Sequence, residues 1–126
     1  MKAIQTTIAA SLADVELLVR AALKEHGFGV LTEMDVAAIF KDKLDIDRSP
    51  LKILGACNPD FANSALTIDA TVSLLLPCNV VLETVASGTH VAIADPRELM
   101  SDAKFAELAD EAARQLTAVI ATLEKA

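Results

Sequence analysis

The junction between an apolar run and a helix-start signal at residues 51–59 constrains the fold more than any other stretch. Residues 51–57 are mostly aliphatic and small, and they predict a buried strand that ends at Cys57. Asn58 followed by Pro59 predicts a helix, because Asn is a favoured N-cap and Pro fits the first helical position. Cys57 then lies near the positive end of the helix dipole, which stabilises a thiolate. We therefore expect any chemical site to lie at this junction.

The other cysteine of the chain, Cys78, also precedes an asparagine and follows Pro77 in an apolar stretch. If the strands that carry Cys57 and Cys78 are neighbours, the two thiols come together beside the new helix. Two thiols within reach can form a reversible disulfide, bind a soft metal ion, or act as a nucleophile with a resolving partner. Alternatively, both are simply small buried hydrophobic residues, since free Cys is among the most buried residue types.

Around these two motifs we predict a ligand-binding cleft formed by Gly55, Cys57, Asn58, Pro77, Cys78 and Asn79. Glycine inside a strand indicates a close approach of backbone or ligand, and asparagine is a poor strand former inside an apolar run. Packing is the alternative for Gly55, helix capping is the alternative for Asn58, and an interrupted strand ladder is the alternative for Pro77. No catalytic residue and no cofactor can be identified from the sequence.

Hydrophobic periodicity and turn signals predict the element order β-α-β-α-β-α-β-β-β-α-α. The predicted strands cover residues 2–8, 28–34, 51–57, 71–76, 79–85 and 91–93. Helices are predicted after Ser11, Asp35, Asn58 and Asp95, and a long one from about Asp102 to Leu123. The order favours a single α+β domain over residues 1–126, a two-layer α/β sandwich with a mostly antiparallel sheet and helices on one face.

Two predictions concern which side chains share a face. In the second strand, alternation places Phe28, Val30, Thr32 and Met34 on one side. In the second helix, the predicted buried stripe consists of Val36, Ile39, Phe40 and Leu44.

Composition excludes several classes of partner. The net charge of -7 and the absence of Tyr and Trp argue against nucleic-acid binding, which needs positive charge and favours aromatic stacking. The sequence has no apolar run long enough to span a membrane and no apolar signal-peptide core near Met1, so we expect no membrane partner and a cytoplasmic location. Hydrophobic residues make up 53% of the chain, and this aliphatic excess indicates a further apolar face that a second copy covers in a homodimer.

A metal site is not predicted. Structural zinc usually takes four Cys or His ligands, and the whole chain offers only Cys57, Cys78, His26 and His90. His26 is expected at the end of the first helix, where a cation suits the dipole, and His90 in an exposed hairpin. We therefore expect no complete four-ligand site within one chain, whereas two thiolates remain available for a soft ion.

Three segments, residues 27–36, 53–59 and 75–81, together resemble the family catalogued as domain of unknown function 302. The resemblance extends from about Ile4 to the final helix, with the three motifs in the same order and at similar spacing. It implies a small two-layer α/β domain with an antiparallel sheet, commonly a homodimer, without an established activity. One departure is Leu51, where family members often carry an aromatic residue, so the resemblance says less about ligand preference.

These observations support three hypotheses on function. The first is a homodimeric module that binds a small molecule in the cleft near the two Cys-Asn motifs. The second is a thiol-redox or soft-metal-binding protein that uses Cys57 and Cys78. The third is a purely structural oligomerisation domain, and it requires no cavity beside the cysteines.

Overall fold

Five strands and five α-helices make up the fold in a computed structural model that describes all of residues 1–126. The strands are β1 (Ala3–Ile8), β2 (Gly29–Asp35), β3 (Leu51–Cys57), β4 (Cys78–Val85) and β5 (Gly88–Ala94). The helices are α1 (Leu12–Glu25), α2 (Val36–Leu44), α3 (Pro59–Ile68), α4 (Pro96–Leu99) and α5 (Ala106–Glu124), with two 3-10 helices at Ala70–Leu75 and Ala103–Phe105. No helix combines the length and the apolar character that crossing a membrane requires.

The strands form one sheet in the order β1-β5-β4-β3-β2, and every neighbouring pair is antiparallel. Residues on β4 and β5 alternate between buried and half-buried, as expected for a sheet with one covered face. The cover is provided by α1 and α5, whose apolar residues pack against the buried side of the sheet. The predicted α+β sandwich with an antiparallel sheet and helices on one face is therefore confirmed.

A cluster of 15 buried apolar residues joins these two layers, and we call it the main core. Its members are Val15, Val19, Ala22, Leu23, Phe28, Leu54, Ala56, Val80, Leu82, Val91, Ile93, Leu116, Val119, Ile120 and Leu123. A second cluster contains only Ala65, Val72 and Phe105, and lies among α3 and the two 3-10 helices. We call residues 58–76 and 95–105, which surround this second cluster, the cap.

Helix starts follow the predicted capping residues. Ser11 accepts a hydrogen bond from the backbone N–H of Asp14 at 3.2 Å, and Asp35 accepts one from Ala38 at 2.9 Å. Asp95 accepts one from the N–H of Arg97 at 2.9 Å. These side chains satisfy donors that the first helical turn leaves unpaired.

The predicted strand at residues 71–76 is wrong, because most of this segment forms the 3-10 helix Ala70–Leu75. Asp69 begins that helix by accepting hydrogen bonds from the backbone N–H and the hydroxyl of Thr71, at 3.0 and 2.7 Å. The segment buries Val72 but leaves Leu74 86% exposed. One side of this apolar segment packs on the small second cluster and the other side faces solvent. Its apolar residues therefore do not mark a strand in the sheet.

The predicted alternation in β2 is also wrong beyond its first residues. Val30 and Thr32 pair with consecutive residues of β3, so that Leu31 is an extra residue in a β-bulge. An extra residue reverses which face the following side chains occupy. The even-numbered residues of 28–34 therefore do not share one face.

The predicted buried stripe of α2 reduces to Val36, because Ile39 and Leu44 are exposed. The helix contacts β3 but contributes no residue to the main core. Sequence periodicity identified the helix correctly and overstated how much of it is covered.

A charged network closes one end of the α1–β3 interface. Lys52 Nζ donates to Glu16 Oε1 at 2.9 Å, and Arg20 Nε donates to Glu16 Oε2 at 3.0 Å. Partial burial by itself would raise the pKa of Glu16, but the hydrogen bonds and positive charges of Lys52 and Arg20 outweigh it and hold that pKa below its ordinary value. Because Lys52 is the second residue of β3 and Cys57 is the last, the network lies at the opposite end of the strand from the cysteines.

Candidate functional site

An apolar cavity of about 40 Å³ lies between the main core and the cap. Its walls come from the end of β3, the start of β4, α3, the α4 region and α5. The lining residues are Phe28, Ala56, Cys57, Asn58, Phe61, Ala62, Ala65, Leu76, Cys78, Pro96, Met100, Leu108 and Ala112. The cavity is therefore lined by both cysteines of the chain and lies at the start of α3.

Antiparallel pairing of β3 with β4 brings the two thiols to this cavity. Cys78 pairs with Ala56, the residue immediately before Cys57. Both cysteines are free and half-buried. Burial raises the pKa of the Cys78 thiol, and the negative charge of a Cys57 thiolate raises it further. Ionisation of Cys78 thus depends on its neighbour, which is how two thiols in one low-dielectric space behave.

Asn58 lines the same cavity, and its side chain also caps α3. Its Oδ1 accepts from the backbone N–H of Asp60 at 3.0 Å and of Phe61 at 3.3 Å. Its Nδ2 lies beside Gly27, where an added Cβ would come within 3.1 Å of that nitrogen. Gly27 has φ of +85°, a conformation that favours glycine, so Asn58 also packs against the turn that ends α1.

The other three predicted residues lie on the opposite face of the sheet. A Cβ added to Gly55 would clash with Thr32 Oγ1 and would lie 2.7 Å from Pro77 Cγ. Asn79 pairs with Gly55 across β3 and β4 and is exposed. The predicted cleft thus separates into a cavity group (Cys57, Asn58 and Cys78) and an outer group (Gly55, Pro77 and Asn79). Close packing accounts for the glycine at position 55.

The size of the cavity limits what it can hold in this conformation. A water molecule takes about 30 Å³ of the liquid, and pockets for drug-sized ligands measure roughly 300–1,000 Å³. A volume of about 40 Å³ accommodates a ligand of one or two heavy atoms. A larger ligand requires the cap to move away from the sheet.

Sequence reasoning missed Met100, which follows α4 and lines the cavity. The residue is half-buried and also packs against the second cluster. Nothing in its sequence neighbourhood indicates a site, because its proximity to Cys57 and Cys78 arises only when α4 folds back over the end of the sheet.

The two histidines lie outside the cavity. His26 Nε2 is 3.2 Å from Thr122 Oγ1, and His90 contacts Thr7 and Gln5 at 3.0 Å each. No group of three His, Cys, Asp or Glu side chains is arranged to hold a metal ion.

A wider groove of about 620 Å³ runs along α3 and α5 and opens to solvent. It shares Phe61 and Leu108 with the cavity but contains neither cysteine. Its remaining polar residues are Lys104, Glu107 and Glu111, a mixed-charge surface of the kind that ordinary solvated helices carry. We therefore regard the smaller, more apolar cavity beside the cysteines as the candidate site.

Comparison with known proteins agrees with this fold. The family model described as "Domain of unknown function DUF302" matches residues 4–123. The crystal structure of an uncharacterized conserved DUF302 protein from Bacillus stearothermophilus is similar, with a TM-score of 0.86 and 25% sequence identity. The alignment covers 94% of this chain and 95% of that one. Comparison with curated proteins gave no match.

Proposed function

The chain belongs to the family of the domain of unknown function DUF302, and we propose that it is a small-ligand-binding module whose ligand occupies the cavity beside Cys57 and Cys78. The observation that carries the proposal is that both thiols and the N-cap of α3 line one apolar space. Apolar, concave spaces with a few polar groups are the usual form of binding sites.

The walls of the cavity indicate which ligands suit it. Phe28, Phe61 and Leu76 supply apolar surface, and the two sulfurs are the most polarisable groups present. A ligand with formal charge would be stabilised only by the start of α3, whose dipole favours an anion. We therefore expect a compact ligand that is apolar or thiophilic.

A thermal-shift screen tests this proposal. Compounds of a few heavy atoms are compared on the wild type, on the C57S/C78S double variant and on Ala62→Leu, which fills the cavity from α3. A ligand at 100 times its Kd stabilises the folded chain by about 2.7 kcal/mol, and the shift should vanish in both variants. Ala38→Leu, an exposed position on α2, serves as the control. Shifts that persist unchanged in both cavity variants would exclude the cavity as the site.

A second candidate function is thiol redox chemistry, and the position of both cysteines at one cavity supports it. Cys57, at the start of α3, would attack a disulfide such as oxidised glutathione and release one glutathione thiolate. Cys78 would then attack the mixed disulfide, forming a Cys57–Cys78 disulfide and releasing the second glutathione. Reduced thiols of this kind suit the cytoplasm, which we propose as the location.

Iodoacetamide at pH 6 to 7 separates this candidate from simple ligand binding. Redox chemistry requires rapid alkylation of Cys57 in the native protein, whereas slow alkylation of both thiols counts against it. Peptide mapping identifies which thiol has reacted, and the urea-unfolded chain provides the reference rate.

We further propose that two copies associate through the outward face of the sheet. Met34, Ile53, Val81 and Ala92 lie side by side in register across β2, β3, β4 and β5. Such a continuous apolar row, together with the mean hydropathy of +0.43, supports a second copy as the cover. Sedimentation at micromolar concentration should give twice the chain mass, and Val81→Lys should give the monomer. A wild type that sediments only as a 13.3 kDa species excludes the dimer.

A further inference from the structure

We propose that the ligand of the cavity is a soft monovalent metal ion of the Cu(I) class, bound by the sulfurs of Cys57, Cys78 and Met100. The inference rests on the proposed binding function and specifies its ligand. It depends on three sulfur-bearing side chains that come from separate parts of the chain and line one small space.

The donor set selects the class of ion. Thiolate and thioether sulfurs favour Cu(I), whereas structural zinc takes four Cys or His ligands and Ca²⁺ takes six or more oxygens. The only other polar lining residue is Asn58, whose Oδ1 already accepts two backbone hydrogen bonds. Among its side chains, the cavity thus offers soft ligands and no free hard one.

The space and its surroundings suit an ion better than an organic molecule. About 40 Å³ accommodates one ion with its three ligands drawn together. The walls beside the two half-buried cysteines are apolar. Met100 comes from the cap, whereas Cys57 and Cys78 come from the end of β3 and the start of β4.

The charges balance as follows. One Cu(I) replaces the two thiol protons, giving a complex with a net charge of -1 and two protons in solution. The start of α3 lies beside Cys57 and favours that negative charge. Since proton release accompanies binding, affinity should rise with pH.

Anaerobic titration with Cu(I), in competition with the chelator bicinchoninate, tests the inference. The wild type should bind one Cu(I) per chain, and X-ray absorption should give sulfur as the only ligand, with three scatterers. C57S and C78S should each weaken binding at least about tenfold, which corresponds to 1.4 kcal/mol.

Met100→Leu isolates the third ligand, because Leu preserves apolar volume and removes the thioether. It should reduce the sulfur count to two and weaken Cu(I) binding at least about threefold, while urea unfolding changes little. Ala38→Leu is the control, because Ala38 is exposed on α2 and does not line the cavity.

Cu(I) affinity that is equal in the wild type and in C57S/C78S would overturn the inference, as would nitrogen or oxygen ligation in the absorption spectrum. Three-sulfur binding that M100L leaves unaltered would remove Met100 from the site. Failure of the proposed binding function is a separate result, because small organic compounds can still give cysteine-dependent thermal shifts when Cu(I) does not bind.

Discussion

The main core and the cap are built with very different amounts of buried surface. The main core joins 15 buried residues from both layers of the fold, whereas the second cluster inside the cap contains three. The cavity lies at the boundary between them, with Phe28 and Ala56 on one wall and Met100 on another. The main core therefore contains most of the buried apolar packing, and we expect the cap to open at a lower free energy than the main core.

Surface contacts add little to hold the cap. Lys104 Nζ donates to Asp69 Oδ2 at 2.7 Å and lies 5.6 Å from the centre of the Phe105 ring. Both side chains of this ion pair are partly exposed, and water screens such pairs so that they contribute little to stability. The difference in stability between the two regions should therefore reflect their apolar packing.

The largest loss of stability is expected from a substitution in the main core. Leu116→Ala should lower the free energy of unfolding of the whole chain by about 2–5 kcal/mol, because Leu116 is fully buried on α5. Urea unfolding followed by circular dichroism measures the loss. A change below about 1 kcal/mol would mean that the packing between α5 and the sheet is looser than described.

Glu16→Gln should have the next largest effect. The substitution removes the charge that pairs with Lys52 and Arg20 inside the α1–β3 interface. It should lower the free energy of unfolding by about 1.5–3 kcal/mol at neutral pH. Since the folded pKa of Glu16 lies below its ordinary value of 4.5, its contribution is present above that pH and is lost as pH falls through the folded pKa.

The free energies of unfolding of Glu16→Gln and of the wild type should accordingly differ at pH 7 and converge as the pH falls below 4.5. A difference that stays constant with pH would point to altered packing and not to the lost charge. Cys57 alkylation, at the other end of β3, should be unchanged in this variant.

A smaller and local effect is expected from Val72→Ala in the cap. Losing two methyl groups from the second cluster should lower the free energy of local opening by about 1–2 kcal/mol. Hydrogen exchange should accelerate in α3 and the adjacent 3-10 helix, with β4 and β5 unaffected. Faster exchange throughout the sheet would show that the cap and the main core unfold together.

The smallest loss of stability is expected from Asp69→Asn. Hydrogen bonds from Lys104 and Thr71 hold the pKa of Asp69 well below its ordinary value of 3.8. The pair therefore stabilises the cap above pH 3.8, and this contribution is lost as the pH falls below that value toward the folded pKa. NMR titration of the Asp69 carboxyl measures the shift, and a pKa at or above 3.8 would contradict the contact with Lys104.

Local signals made much of the fold predictable. The bounds of β3, the N-cap at Asn58 and the Pro59 helix start were read correctly because each depends on neighbouring residues alone. Cys57 lies near the strand that carries Cys78 because β3 and β4 pair with each other.

The remaining features depend on contacts that the sequence does not display. The sequence pattern of β2 does not reveal the bulge at Leu31. The segment after Asp69 is apolar, and an apolar segment is compatible with a strand as well as with the 3-10 helix that it forms. Gly55 and Asn79 occupy the outer face because strand alternation directs them away from the cavity. Met100 reaches the cysteines only through the tertiary path of α4.

The central claim is that Cys57 and Cys78 share one small cavity, and methyl methanethiolsulfonate tests it most directly. The reagent adds a methylthio group to a thiol and releases methanesulfinic acid, and mass spectrometry follows each cysteine separately. Because a close-packed space of about 40 Å³ cannot hold a second added group, a methylthio group on one cysteine should slow modification of the other at least about tenfold. Modification of the two cysteines at independent rates in the native protein would contradict the account.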